Sequence, residues 1–166
     1  TNLLGIKRYP FAFENDWYRG KTEIASFEPE ELFGTKLRAL LQRRASRDLF
    51  DLHQGLEQLA LVPGKVIASF DHYLALEGKQ ITRAMAEQRM LEKLTRSLTE
   101  DITPLLPAGI RFEEADAIYA FEQVWTELIV KIGGEGWKLA ESVLKELRVK
   151  RFPGLLASAA SLRMPP

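Results

Sequence analysis

The run Gly34-Thr35-Lys36-Leu37-Arg38-Ala39-Leu40-Leu41-Gln42-Arg43-Arg44-Ala45-Ser46-Arg47-Asp48-Leu49-Phe50-Asp51 decides how this chain is read. From Thr35 to Arg47 it holds Lys36, Arg38, Arg43, Arg44 and Arg47 and no acid, although the 166 residues as a whole balance 23 basic against 23 acidic side chains. A field of one sign on a neutral protein implies an anionic partner or a structural compensation. Phe33, Leu37, Leu40 and Leu41 keep helical spacing up to this point, and Leu49, Leu52, His53, Leu56 and Leu59 restart it beyond Ser46. Helices are therefore expected at 29–43 and 47–60, with Ser46 as N-cap and Asp48 in the first turn.

At ~100° per residue, Lys36 and Arg43 share one edge of the first helix, while Arg44 would fall in the middle of its apolar stripe. An unbroken helix would bury that charge, so a break at Ser46 is expected, turning Arg44 toward Asp48 or Asp51. On the second helix Asp48 and Asp51 lie on one flank, and Arg47 can pair with Asp51 at i, i+4. The corner thus gathers a lysine, several arginines and two carboxylates. The plainer alternative is a solvated face, with Asp48 favoured by the helix dipole.

Outside the corner, residues 4–28 are expected to form two strands. Tyr9, Phe11 and Phe13 alternate as on a sheet face packed on a core, Thr22–Phe27 is β-like, and Asn15-Asp16 or Arg19-Gly20 supplies the turn. Pro29 suits a first helical turn. A third helix is expected over 65–76, a fourth over 82–99, a break at Pro104, Pro107 and Gly109, and a long helix over 113–132. Gly133-Gly134-Glu135-Gly136 reads as a hinge before a short amphipathic helix through Ala140, Val143, Leu144 and Leu147, with cations Lys145, Arg148, Lys150 and Arg151 suited to its C-terminal end. The fold class is α-rich α+β, a short hairpin-like element followed by five to six helices.

Glu30-Glu31-Leu32, Lys36-Leu37-Arg38-Ala39-Leu40, Arg43-Arg44 and Arg47-Asp48-Leu49-Phe50-Asp51-Leu52 resemble the corresponding run in the AbiEii-type nucleotidyltransferase toxins, bacterial members of the polymerase-β-like superfamily. The resemblance runs more loosely from about Leu4 to Ile132. It implies that Lys36 and Asp48 are active-site residues. Residues 1–132 would then be the C-terminal part of a nucleotidyltransferase-like domain (1–28 β element, 29–132 helical), with 133–166 as hinge, terminal helix and tail. It further implies transfer of a nucleotide from a nucleoside triphosphate to an acceptor, RNA in this family, with an antitoxin as a possible protein partner.

The family's Gly-Ser turn and following acidic pair, which hold Mg²⁺, have no counterpart here, because the chain contains no Gly-Ser dipeptide. This sequence reads as the C-terminal portion of such a protein, inactive alone and holding no metal itself. Lys36 and Arg43 would neutralise triphosphate oxygens, with Arg44 and Arg47 assisting. Asp48 would orient Lys36 or activate the acceptor hydroxyl, supported by Asp51. The competing class is a non-catalytic helical module that docks an antitoxin or grips RNA.

Composition narrows the remaining choices. Hydrophobic content of 46% with 28% charged residues is globular, and no apolar run reaches the ~18 residues of a membrane span. The absence of cysteine excludes disulfides and thiolate metal sites and fits a cytoplasmic protein. His53, on an apolar helix face, reads as a satisfied buried histidine rather than a metal ligand.

Overall fold

The computed structural model describes residues 2–94, 98–100 and 102–150, with side chains through Glu146. Strands β1 (Ile6–Glu14) and β2 (Arg19–Phe27) form one antiparallel hairpin, in register from Ile6 opposite Phe27 to Glu14 opposite Arg19. Asn15 closes the turn: its side-chain carbonyl accepts from the Trp17 and Tyr18 amides at 3.0 and 2.7 Å, and its own N–H donates to the Tyr18 carbonyl. Hydrogen-bonded pairs alternate from that point, so Pro10 opposite Glu23 is a non-bonded pair and the missing proline N–H lies on the outer edge.

The aromatic alternation of β1 does not mark a buried face. Tyr9, Phe11 and Phe13 are 38%, 47% and 39% exposed. The period is that of a strand, but among the described residues no second layer covers this two-stranded sheet, and every residue of both strands except half-buried Gly20 is exposed. The rings cover one another instead, with Phe11 against Phe13 and Phe13 against Tyr18 at 6.0 and 5.7 Å between centroids.

Glu31 anchors the base of the hairpin. Its buried carboxylate accepts from the Leu3 and Leu4 amides at 2.8 and 3.0 Å and from the Tyr73 hydroxyl at 2.7 Å. Burial by itself would raise the Glu31 pKa, but the Tyr73 hydroxyl and the two amides outweigh it and hold the carboxyl below its ordinary range. Lys7 pairs with Glu28 at 2.7 Å beside it.

Six α-helices follow among the described residues: α1 (Pro29–Gln42), α2 (Arg47–Gln58), α3 (Pro63–Leu76), α4 (Arg83–Lys93), α5 (Glu114–Glu127) and α6 (Ala140–Lys150). Helix α1 begins with Pro29 and two acids in its first turn and packs along α3, where Gly34 allows backbone-close approach. A β-carbon at Gly34 would stand 2.6 Å from the Ser69 Cβ and 2.8 Å from the Phe70 nitrogen. At the α1–α2 contact, Gly55 similarly makes room for the Phe33 ring. Leu37, Leu40, Leu49, Leu52, Phe70 and Trp125 are fully buried between these layers, each stabilising the fold by roughly 1.5–3 kcal/mol.

The expected helix at 113–132 ends earlier. After α5 the chain tightens into a 3₁₀ turn at Ile129–Lys131, with Leu128, Ile129 and Val130 all buried. The fourth helix also ends before 99, at Lys93; residues 95–97 lie outside the described set. Gly133–Gly136 is fastened to α4: the Gly133 carbonyl accepts from the Arg83 amide, and buried Glu87 accepts from the Trp137 amide at 2.6 Å and Arg83 Nε at 2.9 Å. Ala140 and Leu144 then bury one face of α6. The expected basic end at 148–151 and the side chain of Leu147 lie outside the described side chains.

Candidate active site

The corner between α1 and α2 is real, and its shape is set by α4. Helix α1 stops at Gln42, Arg43 is extended, and α2 starts at Arg47. Ser46 is buried at the N-cap position, yet its side chain makes no capping hydrogen bond. The carbonyls released by the break are met from across the fold. Lys93 Nζ donates to the carbonyls of Arg43, Arg44 and Ala45 at 2.8, 3.4 and 3.0 Å, and Arg89 donates to that of Leu41 at 3.2 Å. Cations suit a helix C-terminus, and here another helix supplies them.

The break brings four charged side chains together. Lys36 Nζ lies 2.7 Å from Asp51 Oδ2 and 3.7 Å from Asp48 Oδ1, while an Arg43 terminal nitrogen lies 3.4 Å from Asp48 Oδ2. The Asp48 side chain is 4% exposed, against 34% for Lys36 and 50% for Arg43. A buried carboxylate thus underlies two more accessible cations and fixes where they stand. These residues and Arg47 form one wall of a cavity of about 260 Å³, faced by Ile102, Leu105, Leu106 and Pro107.

Two sequence expectations fail at this corner. Arg44 does not turn toward Asp48 or Asp51; it is exposed, makes no side-chain pairing among the described residues, and lines a different cavity on the far side of Arg43. Once α1 ends at Gln42, the extended Arg43 swings its successor away from α2. Arg47 does not pair with Asp51 either, because Lys36 already occupies that carboxylate at 2.7 Å. Arg38 leaves the cluster altogether, pairing with Glu77 at 2.6 Å and lying over the Tyr73 ring.

Sequence reading missed Arg89, Lys93 and the apolar wall at 102–107. Arg89 and Lys93 stand at i, i+4 beside Met90 and Leu94 on the buried side of α4, a spacing that marks cations bordering a core. His53 is half-buried and satisfied, its Nδ1 lying 2.6 Å from Gln123 Oε1.

The described residues do not fit a divalent metal. Among the described residues the carboxylates at the cavity are Asp48 and Asp51, and Lys36 Nζ stands between them, where a metal would have to sit. No cluster of three or more His, Asp or Glu side chains among the described residues is arranged to hold one. No helix among them is long and apolar enough to cross a membrane.

Comparison with curated proteins and with solved structures returned no match. A family model does match, over residues 2–127: the nucleotidyl transferase AbiEii toxin of type IV toxin–antitoxin systems. That span contains the hairpin, the corner and the Asp48 cavity together, and the chain therefore belongs to the AbiEii nucleotidyltransferase toxin family.

Proposed function

We propose that this chain supplies the phosphate-binding wall of a nucleotidyl-transfer site, with a nucleoside triphosphate as donor and an RNA hydroxyl as acceptor. The observation that carries this reading is the pair Lys36 and Arg43, both seated on buried Asp48 and both opening to one cavity. In such a transfer the acceptor hydroxyl gives up its proton to solvent as its oxygen bonds to the α-phosphorus, the bond from the α-phosphorus to the oxygen bridging to the β-phosphate breaks, and pyrophosphate departs. Charge then grows on phosphate oxygens, and fixed cations stabilise that state.

Lys36 and Arg43 would take the triphosphate oxygens, with Arg47 at the rim. Asp48 acts through them as a positioning residue, and Asp51 holds Lys36 until a phosphate competes for it. The acidic pair that family chemistry requires is assigned to a polypeptide segment other than this sequence, and the chain alone is inactive on this reading. An antitoxin partner is consistent with the toxin–antitoxin family.

Calorimetric titration with ATP tests the assignment. Lys36→Ala should weaken binding at least fivefold, and Lys145→Ala, at an exposed position of α6, should leave it within twofold. Equal effects of the two substitutions would remove Lys36 from the site.

A further inference from the structure

A second cavity, about 670 Å³, opens on the other side of Arg43. It falls within the ~300–1,000 Å³ range common for ligand sites. Arg43, Arg44, Lys79, Arg89 and Lys93 line it, against Glu92 as the one acid among the described residues. The apolar contribution comes from Leu41 and Ile81, and no aromatic ring among the described residues lines it.

The cations divide by availability. Lys93 directs its ammonium at three backbone carbonyls, which matches its three N–H groups, so it contributes field rather than donors. Arg89 gives one hydrogen bond to the Leu41 carbonyl and keeps further donors of its guanidinium fork. Arg44 is exposed and makes no side-chain pairing among the described residues. Lys79 reaches out from the end of α3, next to Glu77 at 2.8 Å.

Guanidinium forks select phosphate oxygens, and a cavity without an aromatic platform offers a base nothing to stack on. Arg43 belongs to both cavities, so a chain of phosphates bound in the larger one leads directly to the Lys36–Asp48 wall. We infer that the larger cavity holds consecutive phosphodiesters of the acceptor strand, gripping the backbone without reading sequence and feeding its end past Arg43. This inference rests on the nucleotidyl-transfer reading for the direction of the strand, and on the cavity itself for phosphate binding.

The test is fluorescence anisotropy of a labelled twelve-nucleotide RNA of mixed sequence, titrated with the chain from 50 to 200 mM salt. Arg44→Ala with Lys79→Ala should weaken RNA binding about tenfold at 50 mM and shorten the slope of log affinity against log salt by ~1.4, at ~0.7 per lost contact on a single strand. ATP binding should stay within twofold. Lys36→Ala should do the reverse, lowering ATP affinity while keeping the RNA salt slope. Arg44→Glu alone, at an exposed position, gives a second variant whose fold is checked by circular dichroism.

A folded Arg44→Glu protein with wild-type RNA affinity would overturn the inference, as would wild-type chain that binds no RNA. Inorganic polyphosphate displacing the RNA at a tenth of the RNA phosphate concentration would also overturn it, assigning the cavity to free polyanions. Failure of ATP binding with the RNA result intact would sink the donor-site reading and leave the backbone subsite standing.

Discussion

Gly34→Ala should destabilise the protein, although alanine is the better helix former by ~0.8–1.0 kcal/mol. The added methyl would lie 2.6 Å from the Ser69 Cβ, 2.8 Å from the Phe70 nitrogen and 2.9 Å from the Val66 oxygen. Carbon atoms pack at about 3.5–4.0 Å, so α1 and α3 must part by roughly 1 Å at that point. Two of the three obstacles are backbone atoms and cannot rotate aside. A gap of that size forfeits a quarter to a half of each contact across the seam, and overpacking generally costs about 1–3 kcal/mol.

Taking the upper part of that range and subtracting the propensity gain leaves a net loss of about 1–2 kcal/mol. Urea denaturation of the two proteins at one pH measures it. The internal control is Gly64→Ala in the first turn of α3, where a β-carbon meets nothing within 4 Å; the same substitution there should be neutral or stabilising by up to ~1 kcal/mol. If Gly34→Ala is also stabilising, the two helices do not approach as described.

Three further outcomes are expected. Arg44→Met should change stability by less than ~1.5 kcal/mol because the side chain is exposed, whereas Lys93→Met should cost about 2–4 kcal/mol by stranding three carbonyls; equal denaturant midpoints would refute this division of the corner cations. The Glu31 carboxyl is depressed in the folded state, so its stabilisation is complete above the ordinary carboxylate range near 4.5 and is lost as pH falls through its lower folded value. Urea midpoints should therefore fall more steeply below pH 4.5 in the wild type than in Glu31→Gln, and parallel profiles would refute it. On the nucleotidyl-transfer reading, Asp48→Asn in a protein supplied with the family's acidic pair should slow labelling of RNA from a labelled triphosphate on the order of 100-fold by misplacing Lys36 and Arg43; unchanged labelling would strip Asp48 of its positioning role.

Much of this fold could be read along the chain because helical periodicity is local. The spacing of Leu37, Leu40, Leu49 and Leu52 defined α1 and α2, and Lys36, Asp48 and Asp51 came together as their helical positions implied. Arg44 escaped because its direction depends on backbone angles at the corner, and those answer to Lys93, about fifty residues away in sequence. Tyr9, Phe11 and Phe13 were correctly strand-like, but alternation reports a face without reporting what covers it. The end of α5 at Glu127 left no mark in the apolar pattern, because Leu128, Ile129 and Val130 stay buried beyond it.

Pro10 gives the hairpin a sidedness with respect to growth. Along the outer edge of β1 the run of outward N–H groups is interrupted at mid-strand, so a strand adding there would lack a rung where it most needs one. The outer edge of β2 carries no proline from Arg19 to Phe27 and presents an uninterrupted ladder. Any extension of this sheet, by a further segment or by a neighbouring molecule, is thereby directed to β2, while the β1 side is guarded against pairing with copies of itself.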